Sequence, residues 1–438
     1  MSAAFPFLRL PLELREAVYS LYFNPASRLV DGEFGGGQYR FEFDLYRVNK
    51  QVYSEAENVF RRENVFVRID TPWPTAVNHI SQDGLVPIVA AGLNGKKFRR
   101  YHQLVEISAP VHSGRAEHVI VVLLDDLHLF CQVWFYSALS YPDLNDNLCT
   151  NFLLQDPYFH ANPKPIPLSL QRRLLLPFEK VKGLWEIEIN GYDERVKQEL
   201  LELMAKPNDT VQKCCEDCAE FMESGDCELA EGNADQALEL YIQAFRSIHI
   251  IITGRTRRVL GDPFFHDVIE AGRFAGQTGT TVRIILRIKL VSRAVKTYLK
   301  LQQWEEAAFW GIRSIRIMRE PRESEFEGFL TEFVGAKDVG LLYLRTAIAM
   351  RKMEEKGSEQ LSDYVNEKET SKQLFPLTAK YLKGKYQRVI KKELNESGVR
   401  VSGNLLVLEK ITGEGSDVDS MRHMNQEDTD VEMEIESS

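Results

Sequence analysis

Four cysteines, Cys214, Cys215, Cys218 and Cys227, form the densest group of metal-capable side chains in the chain. Thiolates at a C-x-x-C spacing hold zinc when a second pair, or nearby histidines, complete a tetrahedral set. Here Cys215-x-x-Cys218 has one further thiol downstream and no histidine close by, and all four cysteines fall where a helix is expected. They read as buried or half-buried helix cysteines, with no metal and no cofactor expected. The run GRFAGQTGTT at 272–281 has the glycine content of a phosphate cradle. A P-loop also needs a lysine before its Ser or Thr and a buried strand ahead of it. Both are missing, so a loop leading into a helix is expected. Asp125, Asp126 and His128 carry acid–base chemistry by type, but their spacing does not put all three on one helical face. No G-x-S-x-G nucleophile signature occurs. No catalytic residue is assigned and a non-enzymatic chain is expected. An enzyme with its site in the middle of the chain is the alternative from another class. A deep pocket with convergent polar side chains there would favour it.

Charge says more than these clusters. Acidic residues dominate 214–241, and basic residues, among them Arg283, Arg287, Lys296 and Lys300, dominate 282–319. Adjacent helical runs of opposite sign predict a dipolar module able to orient a charged protein partner, with those four side chains as contact candidates. Tyr298, Trp304 and Trp310 interleave the basic run, as in some nucleic-acid binders, but they are explained more simply as helix–helix core. The net charge of −10 also argues against a nucleic-acid partner.

The elements that must position these residues follow from length and periodicity. At ~150 residues per domain, 438 residues give two or three domains. Leu10-Pro11 opens a first helix, with Leu14, Val18, Leu21 and Tyr22 on one face and Asn24-Pro25 at its end. Burial of Leu14, Val18 and Leu21 would mark a helix that serves only the fold. Exposure of Leu10, Pro11 and Leu14 would mark a docking hook. Gly35-Gly36-Gly37 reads as too flexible for an element. Val48, Val52, Ala56 and Val59 draw a second helix, and 65–69 a short strand. Strands are expected at 104–111 and at 184–189, where Trp185, Ile187 and Ile189 alternate with Glu186 and Glu188. The segment 117–135 begins with an apolar run of strand type, but its length and later charges favour helix. Pro163, Pro165 and Pro167 predict a stiff connector. A helix with Val196, Leu200, Leu203 and Met204 on one face follows, and beyond about residue 210 the pattern is helical throughout. No apolar run reaches the ~18 residues of a spanning helix, no secretory pattern is seen, and six cysteines in so long a chain fit a reducing compartment, cytoplasmic or nuclear. The residues from Gly413 onward are acidic and poor in bulky side chains, which predicts disorder.

Two stretches resemble known families. Residues 5–19, FPFLRLPLELREAVY, are similar to the LPxELRxxIY opening of a large group of fungal F-box-like proteins. In that group a segment of the form RVNRQIYxEA…ENxFxF follows, and RVNKQVY at 47–53, Glu55-Ala56 and ENVF at 63–66 resemble it. F-box modules are small helical hooks that dock on a Skp-type adaptor of cullin ubiquitin ligases. The resemblance implies Leu10, Pro11 and Leu14 as contacts. The glycine-rich insertion between the two pieces departs from the family pattern. The second resemblance is to tetratricopeptide repeats, whose W-x2-L-G-x2-Y…A-x3-F…P pattern spans ~34 residues. Phe221, Gly225, Gly232, Ala237, Tyr241 and Ala244 match it, and Tyr298 to Leu301 followed by Trp304 to Ala307 match it more weakly two periods on.

The expectation is therefore a multidomain, mostly α chain: a small helical F-box-like start (1–69), a mixed α/β domain (70–206), an all-α tetratricopeptide-like module (207–395), and a C-terminal segment with an acidic disordered tail (396–438). Its expected function is that of a protein–protein interaction scaffold using the helical repeat module. The alternative is an F-box-type substrate receptor of a cullin ubiquitin ligase. No membrane association is expected.

Overall fold

The fold is described from a computed structural model over residues 6–31, 35–110, 115–158, 164–318, 335–357, 370–382 and 386–399. The expected acidic tail, and Pro163 of the expected connector, lie outside the described residues. The chain divides after Asp209 into two units, with the short segment Gly261–Phe264 assigned to the first.

In the first unit α1 (Leu12–Tyr22) starts directly after Pro11, and a two-strand ladder, β1 (Leu29–Val30) with β2 (Gln38–Tyr39), precedes α2 (Lys50–Glu63). Asn49 caps α2 by accepting from the Val52 N–H. Then come β3 (Phe66–Thr71), the short α3 (Ala76–Asn78), β4 (Ala90–Ala91), α4 (Gly92–Lys97), β5 (Gln103–Ser108), β6 (His118–Leu123), α5 (Leu127–Ser140) and β7 (Cys149–Leu154). The unit closes with α6 (Leu168–Leu175), β8 (Glu186–Asn190) and α7 (Glu194–Ala205). Six strands form one mixed sheet in the order β4-β6-β3-β5-β7-β8. β3 runs parallel to β5 and antiparallel to β6, with Ile69 opposite Val105 and Ile120 respectively.

Both faces of the sheet are covered. Val119, Val121 and Leu123 join the α1–α2 side chains Tyr19, Phe23, Val52, Val59 and Phe60 in one core. Ile120 and Val122 point the other way, into a second core with Phe130, Trp134, Leu174, Phe178 and Leu200. This corrects the helical expectation for 117–135. A strand buried on both faces needs no polar alternation, so its unbroken apolar run is a strand signature. The helix begins only after Asp125-Asp126. The boundary expected at 69/70 also fails, because β3 crosses it and pairs with the middle strands on both sides. The helical start and the α/β segment are one body. The three glycines are not merely flexible: a Cβ on Gly36 would stand 2.5 Å from the Leu85 and Val86 backbone. They allow a close backbone crossing.

The second unit contains α8 (Val211–Glu231), α9 (Ala234–Ser247), the hairpin β9 (Ile250–Thr253) with β10 (Thr256–Val259), α10 (Gly279–Lys300), α11 (Trp304–Met318), α12 (Ala336–Lys356), α13 (Ser371–Tyr381) and α14 (Gln387–Glu396). Short turns join α8 to α9 and α10 to α11. Gly232, at φ 97°, closes α8 in the left-handed conformation before α9. Where α8 and α9 face each other, a Cβ on Gly225 would stand 2.6 Å from the Tyr241 ring. Gly311 meets Thr346 and Gly340 meets Leu382 in the same way. The hairpin at 250–259 interrupts a stretch expected to lack strands.

Candidate functional site

α1 presents two unlike faces. Its inner side chains, Arg15 and Tyr19, are buried. Leu14, Val18 and Leu21, spaced to share a face, are 53%, 43% and 73% exposed, and Leu8 just upstream is 44% exposed. Pro11 is exposed and Leu10 half-buried. Apolar area left in water at a helical spacing is the geometry of a helix meant to be covered by something else. Leu14, Val18 and Leu21 are thus not buried, as they would be in a helix serving only the fold.

The outer face is held still by what lies beneath it. Arg15 donates to both carboxylate oxygens of Glu55 on α2, Nε to Oε2 at 2.8 Å and Nη2 to Oε1 at 2.6 Å. Its Nη1 donates to the Leu10 carbonyl at 2.5 Å, which fixes the Leu10-Pro11 turn. The Tyr19 hydroxyl and the Gln51 amide also donate to Glu55, at 3.1 and 2.9 Å. A bidentate Arg–carboxylate pair fixes orientation as well as adding energy. Hydrogen bonding from Arg15 holds the Glu55 carboxyl down at about 2. Burial raises the Tyr19 phenol to about 12. Sequence reasoning named neither Arg15 nor Glu55 as a functional pair, although each lies inside one of the two motif pieces. The glycine-containing insertion does not separate those pieces in space, because this pair joins them.

The basic run of the helical module serves different ends. Arg283 is buried. It donates to the carbonyls of Ile248 (2.8 Å), His249 (3.1 Å) and Leu260 (2.7 Å), and its guanidinium lies 4.3 Å from the centre of the Phe265 ring. His249 has φ 56°, so Arg283 ties down a left-handed bend between α9 and β9. It is therefore a structural arginine, and its expected role as a partner contact is corrected. Arg287 and Lys296 are half-buried, and burial lowers the Lys296 ammonium. Lys300 is exposed, with its Nζ donating to the Leu229 carbonyl at 3.0 Å. Arg293 pairs with Asp226 at 2.9 Å, and Arg273 with Glu223 at 2.5 Å. Arg293–Asp226 thus joins the basic run to the acidic one, while Arg273 lies ahead of the basic run.

The other clusters also separate. Cys214, Cys215 and Cys218 are buried on α8 while Cys227 is exposed. Burial raises the Cys215 thiol to about 12 and the Cys218 thiol further. No group of three metal-capable side chains converges among the described residues. Asp126 accepts from the Tyr39 hydroxyl at 2.9 Å, Asp125 from Arg173 at 2.8 Å, and His128 Nδ1 donates to the Asp125 carbonyl at 2.7 Å. These three residues do not act on a common point. Among the described residues no helix is long and apolar enough to cross a membrane. In comparisons with known proteins, no family model, no curated protein and no solved structure matches the chain.

Proposed function

We propose that the chain is a non-enzymatic interaction scaffold that docks a protein partner through the outer face of α1. The observation that carries this is the exposed Leu14–Val18–Leu21 face, clamped from behind by the pairing of buried Arg15 with half-buried Glu55. A rigid apolar face loses little conformational entropy on docking, so more of its burial appears as affinity. The resemblance of the LPLELR opening to F-box hooks gives the partner: a Skp-type adaptor, and through it a cullin. The helical repeat module is then the second reading surface, for the protein brought to the ligase. Its internally paired charges favour contacts through shape and apolar side chains over long-range steering. A reducing compartment, cytoplasm or nucleus, suits its free thiols.

The test is co-purification of adaptor and cullin with the full chain. Leu14→Asp/Val18→Asp alters only exposed positions and is expected to abolish capture with unchanged thermal stability. Capture equal to wild type would remove α1 as the docking face. Absence of adaptor from the wild-type sample would leave the scaffold without a ligase role.

A further inference from the structure

The face of the sheet covered by α5 in the first unit carries a cleft of about 320 Å³. That volume lies at the small end of the range for ligand pockets. Its floor is apolar: Trp73, Ile80, Ile107, Phe130 and Trp134 line it. One edge is polar. His79 Nδ1 lies 3.0 Å from Asp83 Oδ2, and His79 Nε2 lies 3.0 Å from Ser137 Oγ on α5. Ser137 is 58 positions from His79, and the fold brings them together by a specific device. Residues His79–Asp83 form a π turn, which sets Asp83 beneath His79. Gly84 follows, where a Cβ would stand 2.4 Å from Val133 Cγ2 and 2.3 Å from the Ile80 carbonyl. Only glycine lets this turn lie against α5. Leu85 then takes φ 54°, a costly conformation for a leucine.

The order Asp–His–Ser invites an acyl-transfer reading, but the surroundings of Ser137 argue against it. It sits inside α5, whose interior N–H groups close the helix ladder and cannot hold an oxyanion. Its hydroxyl also lies 2.9 Å from the Val133 carbonyl one turn back. The donor count points to binding instead. A carboxylate only accepts, so Asp83 fixes a proton on Nδ1, and when the ring is neutral Nε2 is an acceptor. Ser137 has one proton and two acceptors within reach, Nε2 and the Val133 carbonyl. A ligand hydroxyl that donates to Nε2 releases Ser137 to Val133 and leaves no group unpaired. A ligand carboxylate would meet the Nε2 lone pair with Asp83 behind it.

We infer that this cleft binds a neutral, flat, apolar molecule bearing one hydroxyl, a phenol by chemical class, with the ring over the Trp73–Trp134 floor and the hydroxyl on His79 Nε2. The test uses three probes with one ring system, 2-naphthol, naphthalene and 2-naphthoate, in equilibrium dialysis against the full chain. Saturable binding in the order naphthol, naphthalene, naphthoate is expected. One net hydrogen bond corresponds to a preference for naphthol of about three- to tenfold. His79→Phe, at a half-exposed position that the fold tolerates, should erase that preference while naphthalene binds as before. Val133→Trp, which fills the cleft, should abolish all binding. If that variant does not fold, His79→Phe alone still decides. No saturable binding by wild type, strongest binding of naphthoate, or an undiminished naphthol preference in His79→Phe would each overturn the assignment. Hydrolysis of p-nitrophenyl acetate that is lost in Ser137→Ala would overturn it in favour of acyl transfer.

Discussion

Arg15 shows how one residue can hold an apolar helix face still from beneath. Its guanidinium spans α1, α2 and the Leu10 carbonyl, so the apolar outer face inherits the rigidity of a bidentate pair beneath it. Glu55 has a folded-state value near 2 against an ordinary 4.5. Its charged form is therefore favoured by folding, and the pairing adds stability above about pH 4.5 that drains away as pH falls toward 2. Glu55→Gln should lower the thermal midpoint at neutral pH and converge with wild type near pH 2. A constant difference across that window would show that the carboxylate's charge is not what is stabilising. At this scale the sequence is least legible. Arg283 looks like one more basic residue on a helix, yet it closes three backbone carbonyls. The only hint is local, since it sits in the apolar run VRIIL at 282–286. Nothing in composition announces that a bend at His249 needs an arginine. His79 and Ser137 are likewise 58 positions apart, and only the sheet and α5 bring them together.

Elements were more readable, where their signal was a period. The Leu14–Val18–Leu21 spacing, the α2 stripe and the 184–189 alternation each correspond to an observed helix or strand. Trp185, expected in that last strand, precedes β8 and is 70% exposed, while Ile187 and Ile189 of this edge strand pack onto the core. Period alone misjudged β6, since two-sided burial erases alternation. The α8–α9 pair was legible through small residues at set positions, and its close approach can be tested. The Cβ of Gly225→Ala would fall 2.6 Å from the Tyr241 ring. Tyr241 is fully buried, and its hydroxyl donates to Asp226 at 2.8 Å, so the ring cannot step aside. Overpacking of this kind costs about 1–3 kcal/mol. Denaturant unfolding of Gly225→Ala should show a loss in that range. A change under about 0.5 kcal/mol, the scatter of surface substitutions, would mean that the two helices are free to part.

At the scale of the whole molecule, the division after Asp209 sits close to the Pro207-Asn208 punctuation in the sequence, while the expected cut at 69/70 lies inside β3. The difference is physical. Proline breaks a helix locally and shows in composition, whereas strand pairing between distant segments leaves no local mark. Each unit has its own buried apolar residues and its own ion pair between helices. In the second unit Arg345 and Glu393 are both buried and meet at 2.6 Å, with Arg345 also donating to the Ser292 carbonyl and hydroxyl at 2.8 Å. Removing one partner of such a pair strands a buried charge and costs about 3–5 kcal/mol, while replacing both by apolar residues is often neutral. Glu393→Ala should therefore be strongly destabilising, and Arg345→Met/Glu393→Leu should recover most of the loss. Chains with several cores need not unfold in one step. Calorimetry of the full chain should resolve two components, one lowered by Glu393→Ala and the other by Glu55→Gln. A single transition lowered equally by both variants would mean that the two cores melt as one, and that α1 and the helical module share their stability.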